Sequence, residues 1–177
     1  MVSSSEESYC LPLRMEALTP QIRPMTSADK PAIMRILEAT PQFKPAEVVV
    51  AEEVLDSYLK DPMGSGYHVL VAEDDSSIVG YVCYGSTPMT EGTWDIYWLA
   101  VASEKQGQGI GKALLTSAED KIKEAQGRLS IIETSSRPEY ERTRRFHRLQ
   151  GYDLVGYIRD FYAPGDHRLI FQKRLLR

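Results

Sequence analysis

A mixed α/β fold of the α+β kind, built on one mixed sheet, is the class this sequence predicts, and three observations predict it. Apolar, β-branched runs of strand length alternate with amphipathic runs at helical spacing. The run Trp94-Asp95-Ile96-Tyr97-Trp98-Leu99-Ala100-Val101 leads into Gln106-Gly107-Gln108-Gly109-Ile110-Gly111-Lys112 and then into a long amphipathic segment, a pattern of buried strand, glycine turn and helix. The chain has 177 residues, of which 42% are hydrophobic and 26% charged, which suits one globular unit with a sizeable core.

Taken in order, residues 1–20 read as a flexible lead-in and residues 21–177 as a single domain. Ile22–Met25 is a short strand, and Thr26-Ser27-Ala28-Asp29 has the form of a capping box opening a helix with the face Ile33, Ile36 and Leu37, its start delayed by Pro31. Pro45–Leu59 is a second helix, with Val48, Ala51, Glu52, Leu55 and Leu59 at helical intervals. Tyr67–Ala72 and Ser77–Tyr84 read as strands joined by the polar loop Glu73-Asp74-Asp75-Ser76, and Thr87–Gly92 as the loop before the strand ending at Val101. The helix after the glycine turn presents Ile110, Leu114, Ala118, Ile122 and Ala125 on one face, with Glu119, Asp120, Lys121 and Lys123 on the rest, and Gly127 closes it. Leu129–Thr134 is a further strand, Pro138–Gln150 a helix stopped by Gly151, and Asp153–Ile158 with His167–Lys173 a closing pair of strands.

Chemistry enters at the glycine turn. Glycines at every second position press backbone N–H groups toward a ligand, and the helix that follows aims its positive dipole end at the same spot, which suits a phosphate or pyrophosphate. The alternative is a connector that binds nothing. A P-loop is excluded, because Gln106 stands where its first glycine belongs and Ala113 where its hydroxyl belongs. A dinucleotide fingerprint is poor as well, since Lys112 falls on the third glycine. A net charge of −4 with a pI near 5.5 argues against nucleic acid as a partner and favours cationic ones such as amines. Cys10 and Cys83 have neither pairing nor ligand spacing, and His68 and His167 have no ligand-spaced partners, so neither a disulfide framework nor a metal site is expected. With no apolar run of transmembrane length and no signal-peptide pattern at the Ser/Glu-rich start, the expectation is a cytoplasmic protein with no membrane partner.

This order of elements resembles the GNAT superfamily of acyl-CoA-dependent N-acetyltransferases over residues 21–177. The superfamily's turn, Gln/Arg-x-x-Gly-x-Gly/Ala, is met at every fixed position by Gln106–Gly111, and its aromatic pair shortly before Gly-Phe/Tyr is echoed by Phe146-His147-Arg148-Leu149-Gln150-Gly151-Tyr152. Phe161-Tyr162-Ala163-Pro164-Gly165-Asp166 is similar to the closing hairpin of enzymes that acetylate protein N-termini, the ribosomal-protein alanine N-acetyltransferases among them. The resemblance implies a GNAT-like acyl-CoA N-acyltransferase fold of about seven mostly antiparallel strands, with splayed central strands and about four helices. It implies acetyl-CoA as cosubstrate, its pyrophosphate on Gln106, Gly107, Gln108, Gly109, Ile110, Gly111 and Lys112. Its pantetheine arm would lie along the exposed backbone of Leu99, Ala100 and Val101.

The acceptor amine needs a base. A lysine-type amine, with a reference pKa of about 10.4, costs roughly 4 to 5 kcal/mol to deprotonate at pH 7, and an α-amine near 7.8 about 1. Glu133 occupies the place of a glutamate base in the N-terminal acetyltransferases the chain resembles, and Asp95 that of the base in histone-type relatives; a carboxylate paired with an arginine, or one capping a turn, is the structural alternative for each. His147 stands where the family carries a tyrosine acid. An imidazolium is a competent donor to a departing thiolate, though largely deprotonated at pH 7 unless a carboxylate raises its pKa; an orienting hydrogen-bond donor to sulfur and a polar ring packed at a helix end are the other readings. Tyr140-x-x-Thr143 departs from the family's Asn-led motif on this helix. Arg142, Arg144, Arg145 and Arg148 read as a solvated face. Tyr162 and Asp160 are candidates to line the amine pocket, facing a small-molecule amine or a peptide or protein amine, and the chain is expected as a monomer or homodimer. The resulting expectation is an N-acetyltransferase working by direct attack in a ternary complex; a non-catalytic acyl-CoA-binding sensor or scaffold is the alternative.

Overall fold

The computed structural model describes residues 20–175, so the lead-in expected over residues 1–20, apart from Pro20, lies outside the described residues, as does Cys10. In chain order the elements are β1 (Gln21–Pro24), α1 (Lys30–Glu38), α2 (Pro45–Lys60), β2 (Tyr67–Asp74), β3 (Ser77–Ser86), β4 (Thr93–Val101), α3 (Ile110–Glu124), β5 (Leu129–Ser135), α4 (Glu141–Leu149), β6 (Asp153–Ala163) and β7 (Asp166–Arg174). The strands form one mixed sheet in the order β1-β2-β3-β4-β5-β7-β6. Only β4 and β5 run parallel; every other neighbouring pair is antiparallel.

Two cores flank this sheet, and the strand sequences say why. Along β2, Val69 and Val71 pack with Ile33, Leu37 and Leu55 of α1 and α2, while Leu70 and Ala72 pack with Leu114, Ala118 and Ile122 of α3. A strand covered on both faces reads as an unbroken apolar run, and β2 and β3 do. No helix among the described residues is long and apolar enough to cross a membrane.

Several local expectations are corrected. The loop between β2 and β3 is only Asp75-Ser76, at φ 47° and 64°, because Glu73 and Asp74 continue the ladder opposite Ile78 and Ser77. Their charges are met by Arg23 and Lys105, so they need no loop to stay solvated. On α2 the buried face includes Val54 and Tyr58, while Glu52 reaches Lys30 at the surface. Glu119 of α3 is buried and accepts a hydrogen bond from Lys173 of β7 at 2.6 Å. The last helix begins at Glu141, after a tight turn over Pro138–Tyr140, and β6 runs on to Ala163.

The sheet opens at its centre. β4 pairs with β3 along Trp94–Val101, but with β5 only along Thr93–Ile96, where Ile96 faces Ile132. Beyond that point the two strands part. Tyr97 is the extra residue of an irregularity in the β3–β4 register, between Trp98 opposite Cys83 and Ile96 opposite Tyr84, and such a bulge bends the strand and increases its local twist.

Candidate active site

A cleft of about 820 Å³ fills the fork between β4 and β5. Leu99, Ala100 and Val101 form one wall of it, and Gln106, Gly107, Gly109, Gly111 and Lys112 its floor at the start of α3. Gly107 and Gly109 sit at φ 80° and 86°, and a Cβ on either would meet no atom within 4 Å. The glycines therefore serve a conformation and an open approach, not tight internal packing. Gly109 precedes the first helical residue, Ala113 N–H makes the bond back to Gly109 O at 3.0 Å, and the N–H groups of Ile110, Gly111 and Lys112 are left without intrahelical partners. An anion's oxygens fit such a cradle, and the unpaired backbone of β4 fits an extended arm. These residues thus suit a CoA thioester.

Two residues of the expected turn contribute less. Ile110 buries its side chain in the α3 core, so only its backbone can serve. Gln108 lies outside the cleft lining and donates from Nε2 to Glu104 O at 3.3 Å. Gln106 donates in the same way to Val101 O at 3.1 Å, bracing the end of β4.

The expected acid-base groups Asp95, Glu133 and His147 all line the cleft, from two faces of the sheet. Ile96 and Ile132 belong to the α3-side core, so their neighbours Asp95 and Glu133 project to the opposite face, and Glu133 is the first β5 residue beyond the last paired position. Both line the cleft. Asp95 accepts a hydrogen bond from Thr87 Oγ1 at 2.6 Å, and Glu133 is paired with Arg168 of β7, which stacks on Phe161 at 4.6 Å from the ring centroid. His147 comes from the α3 side. Its ring lies among Phe146, Tyr152 and Phe171, with centroids 5.5, 6.2 and 6.0 Å away. It is 4% exposed, its Nδ1 has no hydrogen-bond partner, and burial pushes its pKa down to about 4. Burial is the only influence on the ring and no carboxylate raises it, so at neutral pH it is uncharged, which disfavours the imidazolium donor and leaves the orienting N–H donor or the packed ring.

Tyr162 lines the cleft, half-exposed, with its phenol pKa raised by burial and then by Asp166 and Glu47. Asp160 does not line it. At φ 51° it shapes the β6–β7 hairpin, its carboxylate accepting from Gly165 N–H at 2.7 Å and its own N–H donating to His167 Nδ1 at 2.9 Å. Other lining residues escaped the sequence reading. Phe43 and Lys44 come from the α1–α2 connection and Glu47 from the first turn of α2, and Tyr140 ties the connection across the cleft by donating to Gln42 O at 2.7 Å. In the sequence the tyrosine at the head of α4 stands out only as a departure from the family's motif, with nothing to tie it to this connection. Of the arginine run, Arg142 lines the cleft, but Arg144 is buried, donating to Ser135 O and Arg137 O at 2.8 Å each and to Glu141 Oε2 at 2.6 Å.

A splayed sheet whose open strand runs to a glycine-cradled helix start, with carboxylates at the fork, defines an acyl-CoA-dependent N-acetyltransferase. The chain belongs to the acetyltransferase (GNAT) family, whose profile matches residues 31–152. No curated protein matches it significantly. Among solved structures, one from Desulfovibrio desulfuricans assigned to the GNAT acetyltransferases is 37% identical, with a TM-score of 0.85 over 88% of this chain and 99% of that one. A ribosomal-protein-alanine N-acetyltransferase from Brucella melitensis is 26% identical, with a TM-score of 0.69 over 87% of this chain and 99% of its own. The ribosomal-protein-S18-alanine N-acetyltransferase from Escherichia coli, 16% identical with a TM-score of 0.71 over 89% and 94%, shares the fold. The enzyme transfers acetyl groups, and the non-catalytic alternative is set aside.

Proposed function

We propose that this enzyme moves the acetyl group of acetyl-CoA to a primary amine, by direct attack of the amine on the thioester within a ternary complex. The observation that carries the proposal is the loss of β5 from β4 beyond Ile96, which leaves the backbone of Tyr97–Val101 open along a cleft ending at the α3 cradle. That backbone pairs the pantetheine arm as an added strand would, and the N–H groups of Ile110–Lys112, with the Lys112 ammonium, hold the pyrophosphate. A solved aminoglycoside 6'-N-acetyltransferase complexed with coenzyme A shares the fold at 17% identity, with a TM-score of 0.70 over 89% of this chain and 98% of its own. The thioester supplies an activated carbonyl and a leaving thiolate.

This chain's residues do the rest. Glu133, at the mouth of the fork, takes the amine's proton directly or through water, and Asp95, braced by Thr87, holds the second carboxylate position. Neutral His147 offers an N–H to the departing sulfur rather than a proton in exchange for its charge. Cys83 is 1% exposed and burial raises its thiol pKa, so it does not serve as an acyl carrier, in keeping with direct attack. A cytoplasmic setting belongs to the same reading.

The test is calorimetric titration with acetyl-CoA and with free CoA, alongside thiol release in the presence of amines. Micromolar binding is expected, weakened at least about tenfold by Gly109→Val, whose Cβ costs about 1–2 kcal/mol in the left-handed conformation and intrudes on the cradle. No binding at millimolar ligand, or a ping-pong velocity pattern, overturns the proposal.

A further inference from the structure

In the wall of the cleft stands a guanidinium that is ion-paired with a buried carboxylate on one side and still one-third exposed. Arg137 lies in the connection between β5 and α4, and its backbone is held from two sides: its N–H donates to Ser135 Oγ at 3.1 Å, and its carbonyl accepts from Arg144 Nη1 at 2.8 Å. The guanidinium lies over the Tyr140 ring, 5.5 Å from the centroid. Nε is 3.4 Å from Asp166 Oδ2, is buried, and makes no hydrogen bond. Asp166 is already engaged, because the Ser135 hydroxyl donates to it and it is itself buried. It attracts the Nε side of Arg137, and the residue lines the cleft.

The neighbouring arginines differ in kind. Arg144 spends its donors on two carbonyls and Glu141, and Arg168 is held by Glu133. Arg142 is exposed and keeps its water. The Arg137 side chain is one-third exposed, stacked, and held at a fixed place in the wall. A rigid, half-desolvated fork of this kind matches the two oxygens of a carboxylate.

We propose that Arg137 receives a carboxylate of the acceptor, so that the substrate is a small amine bearing a carboxylate, an amino acid rather than a plain alkylamine or a polyamine. The inference rests on the acetyl-transfer reading above. The wall carries both signs: Glu47 and Asp166 add to the burial that raises the Tyr140 and Tyr162 phenols, and Arg137 opposes it at Tyr140. A zwitterionic acceptor satisfies both signs, whereas a second ammonium would be set against Arg137. The other source of an oxyanion is a phosphate of the acetyl donor, and the experiment separates the two.

Initial rates of thiol release are measured for a panel of amino acids, each beside the amine left by its decarboxylation, with wild type, Arg137→Gln and Arg137→Lys. For wild type, kcat/KM is expected to favour the carboxylate-bearing member by about 100-fold, the loss of a bidentate charged contact. That ratio is expected to collapse in Arg137→Gln, through the acceptor KM, and to be partly restored in Arg137→Lys; melting temperature and acetyl-CoA titration of each variant report folding. Equal use of both members by wild type overturns the proposal. So does a rise in the KM for acetyl-CoA in Arg137→Gln in place of the acceptor effect, which assigns the anion to the donor's phosphates. Acetyl-CoA binding without thiol release to any amine of either series defeats the acetyl-transfer reading itself, an outcome distinct from equal use.

Discussion

His147 sits in an enclosure of Phe146, Tyr152 and Phe171 that no charge partner enters, and its ionisation follows from that enclosure. A pKa near 4 in the folded chain, against about 6.5 unfolded, means that the unfolded chain binds the proton first as the pH falls. The neutral ring therefore contributes fully to stability above pH 6.5, and that contribution is lost as the pH drops toward 4. Between pH 7.5 and 4.5 the loss is about 2.5 kcal/mol. Urea unfolding of the wild type and of His147→Leu at both pH values checks this: the difference between the two is expected to change by that amount, because carboxylates such as Asp29, held down to about 2 by Arg23, titrate alike in both. Parallel pH dependences in the two proteins count against it. The sequence places His147 beside Gly151 and Tyr152, but its charge state depends on Phe171 of β7, a strand away in space and remote in the chain. Local reading gives the ring's position and misses its environment.

Between β5 and α4 the chain turns through Ser135-Ser136-Arg137, and one buried guanidinium holds that path. Arg144 reaches back from α4 to the carbonyls of Ser135 and Arg137, the second of which also accepts from Tyr140 N–H, with Glu141 balancing its charge. Arg144→Met removes both bonds and is expected to cost about 2–4 kcal/mol, with Arg144→Lys intermediate because an ammonium lacks the fork. Urea midpoints at constant m-value measure it, and a change within about 0.5 kcal/mol, ordinary for a surface position, refutes the role. The arginine-rich stretch looks like a solvated helix face because periodicity shows direction around a helix, not what the preceding connection folds against it. The glycine turn is the opposite case. Its conformation is set by its own residues and by the helix after it, so Gly107, Gly109 and the start of α3 were legible from spacing alone. The β6–β7 hairpin falls between: its strands were read, but their length and the structural role of Asp160 depend on pairing across the turn.

Across the whole molecule, a sheet that parts in its middle leaves backbone groups without ladder partners, a cost that a folded protein bears only when something else satisfies them. β4 is bonded to β3 along its length and released by β5 after Ile96, so Tyr97–Val101 form an internal edge facing the cleft. The outer edge strand β6 is exposed as well, yet its register is broken at two places against β7, between Leu154 and Gly156 and between Ile158 and Ala163, and such irregular edges pair poorly. The two edges therefore differ in what they invite. If acetyl-CoA completes the inner one, amides of Tyr97–Val101 that β3 leaves unbonded, together with those of Gly107–Lys112, are expected to exchange with deuterium at least about tenfold more slowly when the ligand saturates. The rest of the fold gains only the global increment, about 2.7 kcal/mol at a ligand concentration 100 times Kd, or a rise of about 5 to 10 °C in melting temperature. Hydrogen exchange resolved to single peptides distinguishes these effects. Protection spread evenly over the chain, or concentrated along β6, would mean that the ligand does not lie along the open strand, and the cleft would then need another occupant.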